Sequence, residues 1–292
     1  MANLKGGATV GEAQAAARAR LAPLGESAAL DASRLLEAVT GRDRAWLLAH
    51  GDAALSLEAQ ERWASLLARR AAGEPLAYVL GRAGFYGRTF GVTPDVLVPR
   101  PESEQLVELA LAFAARRAAA PPLRLADVGT GSGILAISLA LELPGARVLA
   151  IDVSPAALAV AERNARAHGV AERIAFTLGD AFEGLDPSLR FDLVLANLPY
   201  VRTCDLASPP DPTSFEPRLA LDGGADGLAL YRRLLARAPQ HAAPRGALLL
   251  EAGPDTARAL AALASAAFGA GTSVALARDY AGLERVVTVE LA

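Results

Sequence analysis

Asn197-Leu198-Pro199-Tyr200 closes a strand-like apolar run, Phe191-Asp192-Leu193-Val194-Leu195-Ala196, and about seventy residues upstream stands Asp127-Val128-Gly129-Thr130-Gly131-Ser132-Gly133. The first stretch has the groups needed to hold a planar amide or exocyclic amine. An amide nitrogen is a poor nucleophile because its lone pair is delocalised into the carbonyl. Two acceptors aimed at its two N–H bonds would turn that lone pair toward an electrophile. The side-chain oxygen of Asn197 is one candidate, and the backbone carbonyl of Leu198 is the other, needing no particular side chain. Pro199 fixes its own φ and biases residue 198 toward extended geometry. Tyr200 offers a flat face. The plain alternative is a strand ending in a turn.

The glycine stretch would let a ligand approach the backbone, because no Cβ intervenes. A tight strand–helix turn would look the same. A dinucleotide fingerprint wants G-x-G-x-x-G, with glycine where Ile134 stands; the spacing here is G-x-G-x-G. Asp152, ending the next apolar run, could accept both ribose hydroxyls of NAD or of S-adenosylmethionine alike. Asp127 favours the latter, since a carboxylate there can receive the amino group of a methionine moiety but would repel a pyrophosphate. Asp180 could meet an adenine amino group or be a surface turn residue, and Phe182 could stack on adenine or fill core. Turn and tetrapeptide together point to methyl transfer onto an sp² nitrogen.

The elements that must position them are predicted from residue 123 onward as alternating strands and helices. Strands are expected at 123–128, 147–151, 174–178, 191–196 and 247–250, with helices at 134–141, after Ser154-Pro155, at 226–238 and at 254–268. Two final strands, 273–276 and 285–290, are close enough to pair antiparallel. Such alternation implies an α/β fold with a mostly parallel, doubly wound sheet, whose ligands bind beyond the carboxyl ends of the strands. Both motifs lie at such ends. Upstream, residues 8–72 read as helices only: Ser27 as a cap before the stripe Ala28, Ala32, Leu35, Leu36, Val39, and a second stripe, Ala59, Trp63, Leu66, Leu67, after Ser56. Gly81, Gly84, Gly87 and Gly91 among Tyr78, Phe85, Tyr86 and Phe90 suggest a hairpin connector. Val98-Pro99-Arg100-Pro101 then precedes a helix over 102–117, broken by Ala118-Ala119-Ala120-Pro121-Pro122. The expected domains are a helical bundle over 1–73, a hairpin linker over 74–100 and a catalytic domain over 101–292. The long connection 201–225 follows the tetrapeptide directly and is expected to face substrate.

With 29 basic and 32 acidic residues the net charge is -3, which gives no support to a broad nucleic-acid-binding face. Lysine occurs only as Lys5. One cysteine, Cys204, excludes an intrachain disulfide and fits a reducing compartment. Met1-Ala2-Asn3-Leu4-Lys5-Gly6-Gly7 lacks the apolar core of a signal peptide, and no long uninterrupted apolar run suggests a membrane span. A soluble cytoplasmic protein is expected. His50, His168 and His241 have no metal-ligand spacing, so no metal is expected.

Residues 197–200 resemble the signature Asn-Pro-Pro-Tyr of amino-methyltransferases, and the chain more closely resembles the HemK/PrmC family, the release factor glutamine methyltransferases. The resemblance is carried by Glu74-Pro75-Leu76-Ala77-Tyr78, Phe85-Tyr86-Gly87, Val98-Pro99-Arg100-Pro101-Glu102-Ser103-Glu104, both motifs, Phe215-Glu216-Pro217, Leu221-Asp222-Gly223-Gly224-Ala225-Asp226-Gly227, and Arg278-Asp279-Tyr280 with Glu284-Arg285-Val286. It implies a Rossmann-like class I methyltransferase sheet with a C-terminal antiparallel hairpin behind a small helical domain. It also implies S-adenosylmethionine as donor, S-adenosylhomocysteine as product, and as acceptor the glutamine in the Gly-Gly-Gln tip of peptide chain release factors. By the same resemblance Gly129, Thr130, Gly131, Ser132, Gly133 and Asp152 hold the cofactor, joined by Asp127, Asp180, Ala181 and Asn197. Asn197, Leu198, Pro199 and Tyr200 carry the chemistry, while Arg100 with Phe85 or Tyr86 lines the pocket near the transferred methyl. Leu198 departs from the signature's first proline, and Ala181 stands where some relatives have an aromatic residue. A monomer that binds neither nucleic acid directly nor membrane is expected. An exocyclic amine in nucleic acid, a ribosomal-protein glutamine, and a non-catalytic adaptor that binds cofactor remain the rival readings.

Overall fold

The structure, a computed structural model, describes residues 8–117, 122–208 and 211–292. The readings made at residues 1–7, at 118–121 of the helix break and at 209–210 of the long connection lie outside these. The chain divides into two compact units at Gly81, with Ser208–Phe215 counted to the first.

The first unit is helical. Thr9 opens α1 (Val10–Leu21) with a reciprocal capping box to Glu12. Then come α2 (Ala28–Thr40), α3 (Arg44–Ala49), capped by Asp43, α4 (Leu57–Ala71), capped by Ser56, and α5 (Leu76–Leu80). Ser27 does not cap α2; its hydroxyl donates to Asp31 Oδ2 at 3.3 Å. The unit runs to Gly81 rather than to 73, because α5 sends Val79 into the core formed by Ala17, Leu21, Leu35 and Leu67. Asp31 and Arg70 lie inside it as an ion pair, Nε to Oδ2 2.8 Å, and Arg70 also donates to the Glu74 carbonyl.

The second unit begins with a hairpin, β1 (Arg82–Phe85) and β2 (Arg88–Gly91), turned by Tyr86 and Gly87 at φ 48° and 70°. The linker expected to be a hairpin over 74–100 is thus a hairpin over ten residues only, preceded by α5 and followed by an irregular strap to Arg100. Asn164 ties the hairpin down, accepting from the Gly91 N–H at 2.8 Å and donating to the Gly91 carbonyl at 3.0 Å. After α6 (Glu104–Ala115) the alternation is β3 (Arg124–Val128), α7 (Ile134–Glu142), β4 (Arg147–Asp152), α8 (Pro155–Ala167), β5 (Ile174–Leu178), β6 (Phe191–Ala196), α9 (Ala229–His241), β7 (Ala242–Glu251), α10 (Ala257–Phe268), β8 (Thr272–Arg278) and β9 (Glu284–Leu291). The strand order is β5-β4-β3-β6-β7-β9-β8, parallel from β5 through β7 and antiparallel at β9 and β8. This is the expected α/β sheet with its closing hairpin. Alternate residues of β6 divide between two apolar clusters, Leu193 and Leu195 in one, Val194 and Ala196 in the other, so the sheet is buried on both faces. Ser154 caps α8 as expected, accepting from Ala157 N–H with Pro155 at the first helical position. Pro239 does not end α9, which continues to His241; one amide donor is lost there, in the last turn. The 201–225 connection is not structureless: it holds short 3₁₀ turns and a parallel bridge, Val201 to Asp222.

Removing one partner of the buried Asp31–Arg70 pair strands the other charge. Asp31→Ala is therefore expected to cost about 3–5 kcal/mol in urea-monitored unfolding, far more than an exposed ion pair would.

Candidate active site

β3 and β6 are neighbours, and their last residues, Val128 and Ala196, face each other across the pair. The chain runs from β3 outward through β4 to β5 and returns to β6, so the sheet order reverses between β3 and β6. That is where an open α/β sheet leaves a crevice beyond its strand ends. The glycine turn leaves β3 and the tetrapeptide leaves β6 on adjacent tracks. Between them lies a cleft of about 260 Å³, lined by residues 128–132, Asp152, Ser154, Asp180, Ala181, residues 197–199, the strap from Pro94 to Arg100, and Leu219.

Backbone bonds shape the glycine turn. Gly129 and Thr130 N–H both donate to the Ile151 carbonyl at 2.8 and 3.0 Å, and Gly131 N–H donates to Asp152 Oδ2 at 2.9 Å. Asp152 Oδ1 accepts from Ser154 N–H at 2.9 Å, and burial holds this carboxyl above its ordinary pKa. Gly131 has φ +54°, and a Cβ there would meet no atom closer than 4.0 Å, so its missing side chain leaves open space on the cleft side of the turn. Asp127 is 1% exposed. Its Oδ2 accepts from Thr130 Oγ1 at 2.7 Å and from Ala136 N–H at 3.1 Å, while Oδ1 has no partner among the described residues. Burial pushes its pKa up to about 6 against those two bonds, with the nearby Asp152 charge adding to the rise.

The tetrapeptide is held from three sides. Asn197 Nδ2 donates to Ser103 Oγ at 2.9 Å, so its Oδ1 is the group left over as an acceptor on the cleft wall. Leu198 N–H donates to the hydroxyl of Tyr231 at 3.1 Å, and that hydroxyl donates onward to the Glu251 carbonyl. Gly227 packs against the backbone of Tyr200; a Cβ at Gly227 would lie 2.4 Å from the Tyr200 carbonyl oxygen. Leu198 leans on the glycine turn, its Cδ2 2.7 Å from where a Gly129 Cβ would stand. Behind Arg100, Glu216, 6% exposed, accepts from Arg100 Nη2 at 2.6 Å and from Val98 N–H at 3.2 Å, fixing the strap.

Residues 12–81 match the family described as PrmC N-terminal domain, and residues 121–224 match a methyltransferase domain. The release factor glutamine methyltransferase of Bordetella pertussis is 45% identical over 257 residues, 88% of this chain and 93% of the relative; that of Cereibacter sphaeroides is 43% identical over 96% and 98%. The chain belongs to the release factor glutamine methyltransferase family. Among solved structures the fold is shared with a methyltransferase from Pyrococcus furiosus (TM-score 0.51, 18% identity, 79% of this chain and 98% of that one). It is shared too with the Thermus thermophilus 16S rRNA N2 G1207 methyltransferase in complex with AdoMet and guanosine (TM-score 0.51, 21% identity, 72% and 50%).

Within this family member the sequence-predicted residues do not all meet. Gly129, Thr130, Gly131, Ser132, Asp152, Asp180, Ala181, Arg100, Asn197, Leu198 and Pro199 line one cleft. Gly133 lies behind it as the N-cap of α7, and Asp127 lies beneath the turn. Asp180 is paired with Arg233. Phe85 is not on the cleft wall: it is 2% exposed, edge-on to Phe90 in the core, because the inward face of β1 meets α6 and α7. Tyr86 packs against the same core. Phe182 fills core as well, stacked on Phe191. Tyr200 is absent from the cleft wall; its ring packs on the second core and its hydroxyl reaches Glu251 at 3.5 Å. Ser103, Tyr231 and Glu251 had not been singled out from sequence. Glu251 left a signal, a carboxylate ending an apolar strand; Tyr231 left none, since its partner lies 33 residues away.

Asp127 binds its proton more tightly folded than unfolded, so the stability it lends is present below its unfolded pKa and is lost as pH rises through about 6. Asp127→Asn is expected to flatten that part of the stability profile, read as urea midpoints at mildly acidic and mildly alkaline pH; an unchanged slope would contradict the assignment. Tyr231→Phe strands the buried Leu198 N–H and is expected to cost about 1–3 kcal/mol by the same assay, with a fall in turnover.

Proposed function

We propose that the chain transfers a methyl group from S-adenosylmethionine to the side-chain amide nitrogen of the glutamine in the Gly-Gly-Gln motif of peptide chain release factors. One observation supports this above the others. The Asn197 carboxamide is turned by Ser103 so that its oxygen remains free beside a cleft that the glycine turn also lines.

The residues suit the cofactor. Among the described residues Asp127 Oδ1 is a buried acceptor without a partner, the complement of an ammonium group, and Gly131 leaves the room a ligand needs. Asp152 on the ribose, Asp180 near the adenine amino group and residues 129–132 around the methionine portion complete that reading. When bound, S-adenosylmethionine supplies a sulfonium methyl that an aligned nitrogen can take in line, leaving S-adenosylhomocysteine. The chain's own part is positioning and fixed dipoles. Asn197 Oδ1 and the Leu198 carbonyl accept the two N–H bonds of the glutamine amide. Tyr231 holds the backbone of Leu198 by its N–H, so rigidity that the first proline of the related signature would give comes here from a hydrogen bond. Arg100, anchored on Glu216, closes the far wall. Methylation makes the amide nitrogen acidic, and its proton leaves to an acceptor or water without a strong base. Tyr200 acts from behind the loop rather than as a stacking face.

Among the described residues no helix is long and apolar enough to cross a membrane. The reading extends to a cytoplasmic monomer that does not bind nucleic acid directly, in keeping with the charge of -3.

Labelled S-adenosylmethionine incubated with a release factor is expected to mark the Gly-Gly-Gln glutamine and to leave DNA, RNA and ribosomal protein unmarked. Label elsewhere, or cofactor binding without turnover on any release factor, would overturn the proposal. Asn197→Ala is expected to lower kcat by about 10²-fold or more while cofactor affinity by calorimetry stays within about threefold.

A further inference from the structure

Glu251 ends β7 inside the protein at 1% exposure, with Oε2 lacking any partner among the described residues, and the transfer chemistry does not use it. Its surroundings connect it to the tetrapeptide twice. Its backbone carbonyl accepts from Tyr231, whose hydroxyl holds Leu198 N–H. The Ser103 hydroxyl acts on its carboxylate against the rise in its pKa, and the fully buried Ser103 Oγ accepts from Asn197 Nδ2 at 2.9 Å.

A carboxamide can sit either way round at little steric cost, and its neighbours decide which. An ionised carboxylate is acceptor-only. It draws the single proton of Ser103 to itself, which leaves lone pairs facing Asn197. Only the NH₂ side of Asn197 can meet lone pairs, so the oxygen side must turn away from Ser103, to the cleft. We propose that Glu251 is a positioning residue which, through the Ser103 hydroxyl, fixes the Asn197 carboxamide with its oxygen toward the substrate amide.

This deepens the methyl-transfer reading and rests on it for its catalytic consequence, while the orientation itself does not. The Tyr200 hydroxyl, the Arg285 guanidinium of β9, Glu102 ahead of α6 and Tyr231 of α9 also face the carboxylate. Burial pushes Glu251 up to about 7; the Ser103 hydroxyl and Arg285 work against that rise, and Glu102 adds to it. Once protonated, Glu251 no longer requires the Ser103 proton. Ser103 can then donate to Asn197, and the carboxamide is free to turn its NH₂ toward the cleft, where a donor would face the donors of the substrate. The active orientation is present above about pH 7 and lost below it.

The side-chain amide resonances of Asn197, assigned in ¹⁵N-labelled full-length protein by comparison with Asn197→Ala, read the orientation without turnover. They are expected to titrate with a midpoint near pH 7 in the unaltered chain and to lose that titration in Glu251→Gln and Ser103→Ala. With release factor as substrate, Ser103→Ala is expected to lower kcat by about 10²-fold with cofactor Kd held within about twofold, and Glu251→Gln to remove the acid limb of the kcat profile. An Asn197 titration that persists in Glu251→Gln overturns the proposal. So does a kcat loss in Ser103→Ala matched by equal losses in cofactor affinity and thermal midpoint. If the unaltered chain methylates no release factor, the functional reading fails, and the resonance titration still decides the role of Glu251.

Discussion

The register of β3 against β6 is the constraint on which the site depends. These strands are parallel neighbours only because the chain reverses its direction of travel across the sheet between them, and Val128 meets Ala196 at the end of the pair. Neighbouring strands lie about 4.8 Å apart. That spacing puts the glycine turn and the tetrapeptide side by side, close enough for Leu198 to rest on Gly129. A slip of one residue would send every side chain of β6 to the other face and break both apolar clusters, so burial on the two faces enforces the alignment of the site.

Around that alignment the second unit accepts a cost. Asp127 and Glu251 are carboxyls placed where water is scarce, and both have an oxygen without a partner among the described residues. Each weakens the fold at neutral pH relative to acid, because each would rather be protonated when buried. Unpaired buried acceptors are expensive, and they persist where a ligand or a hydrogen-bond chain needs them. Asp127 lies beneath the glycine turn and Glu251 behind the tetrapeptide. The two walls differ in character: hydrogen-bonded backbone shapes one, and a buried side-chain relay supports the other.

The differences between expectation and structure have a common origin in how short patterns behave. Aromatic residues in a glycine-rich stretch look like pocket residues, yet Phe85 and Phe90 are hairpin side chains that cover an apolar helix face. Tyr200 closes the tetrapeptide that Asn197 opens, but at the strand end its ring is directed into the core, against Gly253 and toward Glu251. The helical unit was legible as helices and not in its extent, because the fifth helix is one short turn whose membership is decided by Val79 reaching a core built from three other helices.

The sequence by itself determined the element order, the parallel sheet with its antiparallel close, and the two motifs at strand ends, because these follow from local apolar periodicity, glycine spacing and capping. It also determined which groups could hold a planar amide. Tertiary structure alone decided that the Asn197 amide nitrogen is taken up by Ser103, leaving its oxygen over as the acceptor. That choice is made by a hydroxyl 94 residues away and by a carboxylate on another strand, and a side chain that can sit either way round takes its direction from partners no local pattern names.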